Sequence, residues 1–107
     1  MREQTTHKVR VISRSCRNIV VPGYLILNRG DSVEFKTVNN KDATILIPHG
    51  NLFGEDNRVF DLDEKNQWTQ TLTVSNIEAG VYPYAVYCKE SNDFAEGNSP
   101  PTMIIDE

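Results

Sequence analysis

Histidine is almost missing from this chain of 107 residues: His7 and His49 are the only two, and residues 89–107 contain none. Cysteine is as scarce, with Cys16 and Cys88 far apart in sequence. No closely spaced cysteine pair, glycine-rich phosphate loop or dinucleotide glycine pattern occurs, which removes structural zinc sites and nucleotide folds from consideration. No apolar run approaches the roughly 18 residues of a membrane-crossing helix, so no membrane insertion is expected. Residues 1–10 are polar and mixed in charge, without the apolar centre of a secretion signal. Met1 as the native start would place the protein in the cytoplasm; a removed leader would place it in the periplasm or outside the cell.

A chain of this length buries roughly two-thirds of its unfolded surface, enough for one core without covalent staples. A single domain over 1–107 is expected, with 1–7 as a flexible arm. The formal net charge of −4 is unevenly spread. Residues 1–36 carry seven bases and three acids, whereas 37–107 carry four bases and twelve acids. Nucleic acid requires a basic surface with interleaved aromatics, and this balance opposes it. The acidic half suits a protein partner with a basic patch, although a solvated acidic surface is the simpler expectation. A disulfide would need an oxidising compartment and close backbones, so Cys16 and Cys88 are expected as two separate, partly buried thiols.

What is present alternates with period two. Lys8 to Ser13 places Val9 and Val11 on one side, and Ser32 to Val38 places Val33 and Phe35 inward. Shorter strands are expected at 24–28, 44–47 and 102–106, and longer ones at 67–74 and 81–88. Asn28-Arg29-Gly30-Asp31 and Asn39-Asn40-Lys41-Asp42 carry turn chemistry. About seven strands separated by turns predict an all-β sandwich. Two segments are longer than hairpins require: 49–66, suited to a helical turn or surface loop, and 89–101, which is polar with Gly and Pro. Long loops in compact domains often carry function.

The segment 18–35 has a Pro, an apolar strand, Gly30-Asp31, then Val33 and Phe35. Asn39-Asn40 follows, and Gly80-Val81-Tyr82-Pro83-Tyr84-Ala85-Val86-Tyr87-Cys88 ends on a thiol before a closing strand at 102–106. This ordered set resembles the cupredoxins, the blue-copper fold family, over most of residues 8–106. The resemblance implies a Greek-key β-sandwich. Working members hold copper with two histidines, a cysteine thiolate and a weak axial methionine. Carried over by position, Cys88 matches the thiolate and the first histidine position falls near Thr44. The second histidine and the methionine should lie within 89–101, which offers Ser91, Asn92, Asp93 and Glu96 instead. Met103 falls in the closing strand, where it is expected to pack the core.

His49 lies beyond the Thr44–Ile47 strand, roughly 17 Å from Thr44 along a straight strand, and His7 lies in the flexible arm. A native blue-copper site is therefore not expected, and no cofactor is assigned. The alternative is an atypical copper-binding or electron-transfer site using Cys88 with His49 or Glu96. A Cys88–His49 nucleophilic pair would make a small thiol enzyme, but no oxyanion hole is marked. Glu90 and Asp93 beside Cys88 would raise its pKa and blunt its reactivity. Asp61-x-Asp63 begins like a calcium loop, but Asn66 and Leu72 stand where a glycine and a bidentate acid belong. The leading expectation is a non-catalytic binding domain whose partner is another protein, as monomer or dimer. Thr44, His49, Phe53, Phe60 and Phe94 form its candidate interaction surface. The three phenylalanines would anchor a partner if exposed, against the simpler expectation that loop aromatics fold back over the sandwich ends.

Overall fold

The structure, a computed structural model, describes residues 5–14, 17–49, 51–54, 58–89, 92–95 and 100–106. Among these residues the chain forms eleven strands: β1 (Thr6–Arg14), β2 (Arg17–Val21), β3 (Tyr24–Leu27), β4 (Ser32–Thr37), β5 (Ala43–Leu46), β6 (Val59–Leu62), β7 (Thr69–Thr73), β8 (Gly80–Pro83), β9 (Ala85–Cys88), β10 (Asp93–Phe94) and β11 (Thr102–Ile105). Two single-turn 3-10 helices, Val38–Asn40 and Glu64–Asn66, fill connections. The count exceeds the expected seven for local reasons. The 81–88 run is interrupted at Tyr84 into β8 and β9, β2 pairs with β1 in a segment not expected as a strand, and β6 and β10 occupy the two segments expected as loops.

One layer is a four-stranded sheet in the order β2-β1-β4-β7. The other comprises the ladders β10-β9-β5-β6 and β3-β11-β8, which succeed one another along the β8–β9 line. β1 runs parallel to β4 and β3 parallel to β11; the remaining pairings are antiparallel. Alternation decides which rows meet. Val9, Val11, Val33, Phe35 and Leu72 from the first layer are buried against Ile45, Leu62, Tyr84, Val86, Met103 and Ile105 from the second. Met103 is fully buried, as its place in the closing strand implied.

Phe35 is the centre of this core. Its ring meets Phe60 at 5.4 Å, Tyr84 at 6.0 Å and Phe53 at 6.1 Å between centroids, all edge-on. That arrangement sets the positive ring edge against a neighbouring π-face. Phe53 and Phe60, expected as candidate surface anchors, are thereby turned inward. Phe53 is buried and Phe60 packs against the core as a partly buried side chain. The fold-back arrangement holds for both, because a partly formed aromatic cluster gains more from a third ring than water-exposed phenyl groups do.

The 28–31 turn forms as its residues require: Asp31 N–H donates to Asn28 O at 3.0 Å, and Gly30 takes φ +89°, a conformation natural to glycine. Asp31 is fully buried, and its carboxylate gathers three donors. These are the Thr5 N–H at 3.3 Å, the Asn28 N–H at 3.0 Å and His7 Nε2 at 2.9 Å. His7 therefore lies within β1 rather than in a free arm; the buried carboxylate needs partners and recruits it. Residues 1–4 fall outside the described part.

Candidate functional site

The end of β9 that carries Cys88 is the natural place to look for chemistry, and its ladder fixes what surrounds the thiol. β9 lies between β10 and β5, so Cys88 pairs with Asp93 on one side and Ala43 on the other. Ala43 in turn pairs with Leu62 of β6. The Cys88, Ala43 and Leu62 side chains all point inward and are buried, Cys88 to 1% exposure. The thiol thus sits on the core face, with an alanine and a leucine continuing its row.

Thr44, expected at the first ligand position, lies one residue along and therefore on the opposite face. It pairs with Tyr87 and Asp61, giving an outward row Phe94–Tyr87–Thr44–Asp61 across β10, β9, β5 and β6. The Thr44 hydroxyl donates to Asp61 Oδ1 at 2.7 Å, and Lys89 Nζ stands 3.4 Å from the same oxygen. The Thr44 hydrogen bond, followed by Lys89, holds the Asp61 carboxyl below its ordinary pKa, against a smaller opposing effect of burial. Tyr87 and Phe94 pack edge-on at 5.1 Å, and the Tyr87 hydroxyl donates to Asn92 Oδ1 at 3.3 Å. Phe94 remains 46% exposed. Behind this row, Trp68 Nε1 donates to Asp42 Oδ1 at 2.8 Å, and the Lys89 N–H donates to Asp42 O at 3.2 Å. These bonds tie the turn before β5 to the end of β9.

His49 lies at the other end of the same ladder. Ala43 faces Cys88, Leu46 faces Ala85, and His49 follows three residues after Leu46. The strand ends at Leu46 and the chain bends at Pro48 and His49, beyond the end of the ladder away from Cys88. The exposed His49 imidazole stacks edge-on against Tyr82 at 4.9 Å. The structure therefore does not bring Cys88 and His49 together. Glu96, the other proposed ligand, lies outside the described residues, as do Cys16, Glu90 and Ser91. Among the described residues no group of three or more His, Cys, Asp or Glu side chains converges as a metal site.

Solved structures place this architecture. A copper(I) form of an amicyanin mutant superposes with a TM-score of 0.54 at 16% identity, covering 92% of this chain and 82% of its own. The oxidized plastocyanin from Dryopteris crassirhizoma gives 0.57 at 20% identity, covering 92% of this chain and 99% of its own. The fold is cupredoxin-like. At such identities the likeness concerns the fold alone. No family model matches the chain, and no curated protein matches it.

The cupredoxin-like frame makes the ligand question specific, and among the described residues the donors around Cys88 do not make up a blue-copper set. Ala43, directly across the ladder from Cys88 on its own face, has no donor atom. Thr44 has a hydroxyl, but on the far side of the sheet and already committed to Asp61. Met103 is inside β11, opposite Tyr82 and Leu25, where it serves the core. Among the described residues no imidazole lies beside Cys88, whereas a blue-copper centre takes two.

Residues 24–27 and 81–87 also contribute something the sequence reading passed over. Their strands are apolar on both faces, so whichever face turns inward the other stays apolar. Tyr24, Ile26 and Val81 are exposed on the outside of the second layer, joined by Val59 of β6. The available signal was the absence of a polar alternate in Tyr24-Leu25-Ile26-Leu27.

Proposed function

We propose that this protein is a non-catalytic binding domain: a cupredoxin-like sandwich that uses its surface to engage another protein rather than a metal to move electrons. The observation that carries this reading is the pairing of buried Cys88 with Ala43. Among the described residues no histidine lies beside this buried thiol, and its enclosure limits the access a nucleophile needs, which supports the reading. The same end of the fold offers a contact surface of mixed character. Phe94 and Tyr87 supply exposed aromatic area, and Thr44, Asp61 and Lys89 supply hydrogen-bonding and charged groups of both signs beside it. Aromatic anchors rimmed by polar groups are the usual composition of protein contact centres.

The deciding experiment is an anaerobic copper titration of the reduced, metal-free protein, with Cys88→Ser in parallel. No intense thiolate-to-copper absorption and no stoichiometric uptake is the expected result. A strong band at one equivalent that disappears in the variant would overturn the proposal and make the protein a copper-handling or electron-transfer protein through Cys88. A photo-crosslinking residue placed at Phe94 should trap the physiological partner, while the same residue at Lys36 on the opposite layer should not.

A further inference from the structure

The outer faces of the two layers differ in chemistry. Outside the first layer the cross-strand rows Thr6–Ser32–Thr73 and Lys8–Glu34–Thr71 are polar, while the Arg10–Lys36–Thr69 row ends on Val21 of β2, with an Ile12–Ile19 pair beyond it. Outside the second layer the corresponding rows are Ile26–Ile104–Val81, Tyr24–Thr102–Pro83 and Ala85–Leu46–Val59. These rows contain no charged residue. Along the β8–β9 line the alternation is unbroken, with Val81, Pro83, Ala85 and Tyr87 outward and Tyr84, Val86 and Cys88 buried inward. Tyr24 is 72% exposed, Val81 64%, and Ile26 and Val59 60% each. Of the six large apolar side chains exposed among the described residues, only Val21 lies elsewhere than on this layer. A shallow cleft of about 370 Å³, lined by Leu46, Ile47, Pro48, Arg58 and Val59, continues the stripe.

We propose that this outer face is the surface through which two copies of the chain associate, sheet against sheet. Three physical arguments favour a second copy over another occupant. The first is area. The four most exposed residues with Pro83, Ile104, Ala85 and Leu46 make a stripe on the order of 500–600 Å², the size of the largest patches on monomers, which are often functional. Two such faces bury on the order of 1,000–1,200 Å², the lower limit for a specific interface. The second argument is shape. Sheets pack in alignment only when their twists agree, and two copies of one sheet have the same twist by construction. A two-fold axis makes the contact closed and self-complementary. The third is charge. Each copy carries −4, and opposing rows that hold no acidic residue, with the basic Arg58 at their edge, brings like-charged molecules together with least repulsion.

The proposal goes beyond the binding function above, since it uses a different part of the surface from Phe94. Sedimentation velocity across a hundredfold concentration range should show a reversible shift from monomer towards twice the monomer mass. The shift should be favoured by sulfate, as apolar contacts are. Ile26→Lys and Val81→Lys, both at solvent-facing positions, should each weaken association by about tenfold or more, because each buries an unpaired ammonium. Lys36→Glu on the polar layer should leave it unchanged. Matching unfolding midpoints would show that the lysine variants fold.

A monomer at every concentration, or a dimer that Ile26→Lys and Val81→Lys leave intact, overturns the inference. So does a monomer whose Ile26→Lys variant loses a different protein partner, which would assign the face to that partner. None of these outcomes touches the copper titration, so the two readings fail separately.

Discussion

Phe35→Ala should be the most damaging single core truncation. The phenyl ring is fully buried and meets three other rings, Phe53, Phe60 and Tyr84, that come from three separated parts of the chain. Phe to Ala in a packed core costs about 3–5 kcal/mol through lost transfer energy and the cavity left behind. Each edge-on ring pair adds roughly 0.5–1.5 kcal/mol beyond area. The cavity can relax on one side, because Phe53 sits in the short segment after β5 rather than in a strand. An expected loss of about 4 kcal/mol balances these effects. Against a typical domain stability of about 5–15 kcal/mol that is a large share, and with a urea slope of about 1–2 kcal/mol/M it lowers the midpoint by roughly 2–4 M. Urea unfolding followed by the fluorescence of Trp68, the chain's one tryptophan, and by circular dichroism would measure it. A Phe35/Phe60 double-mutant cycle isolates the ring–ring coupling. A loss below about 1 kcal/mol, or zero coupling in the cycle, would refute the arrangement of four rings around one centre. There is a functional corollary: without Phe35, Phe53 and Phe60 lose their seat, and fluorescent-dye binding to newly exposed apolar surface should rise well below the unfolding transition.

Two further outcomes test other parts of the structure. Thr37 is 1% exposed, and its hydroxyl is the buried side-chain polar atom without a hydrogen-bond partner among the described residues; Thr37→Val should therefore stabilise the fold by about 1 kcal/mol in urea unfolding, and a loss of stability would reveal a partner for that oxygen. The Asp61 carboxyl is held below its ordinary value by Thr44 and Lys89. Its contribution is thus fully present above the unfolded pKa of about 3.9 and is lost as pH falls through the lower folded value. Both partners are about half exposed, so the contribution is a surface one, about 0.2–1 kcal/mol. The acid limb of the stability curve should be shallower in Asp61→Asn, and identical limbs in the two proteins would contradict the pairing.

Much of the fold was legible because burial on one face writes itself as alternation. Val9 with Val11 and Val33 with Phe35 point inward as their period of two implies, and Gly30 marks a turn that its positive φ makes necessary. β6 was not legible. Val59-Phe60-Asp61-Leu62 is only four residues long and lies among acidic neighbours, so its alternation is too short to stand out from a loop. It becomes a strand because β5 offers an unpaired edge and Phe35 a ring to pack against, two facts that arise only in three dimensions. β10 is shorter still, two residues held to the end of β9.

At the candidate site the difference between sequence and structure is a single residue, and a single residue is decisive in a sheet. Because side chains alternate with period two, moving a position by one transfers it from the core to the surface. The first ligand position is expected near Thr44; the ladder places Ala43 beside the thiol and turns Thr44 outward to Asp61. Only the pairing register of β5 with β9 settles this, and it is set by long-range contacts such as the Trp68–Asp42 and Lys89–Asp42 bonds that anchor both strand ends. The consequence reaches function from both sides of the sheet. Inward, Cys88 gains an apolar neighbour and becomes part of the core. Outward, Thr44 joins Tyr87 and Phe94 in a row that faces solvent, so neighbouring positions of β5 are divided between packing and the surface.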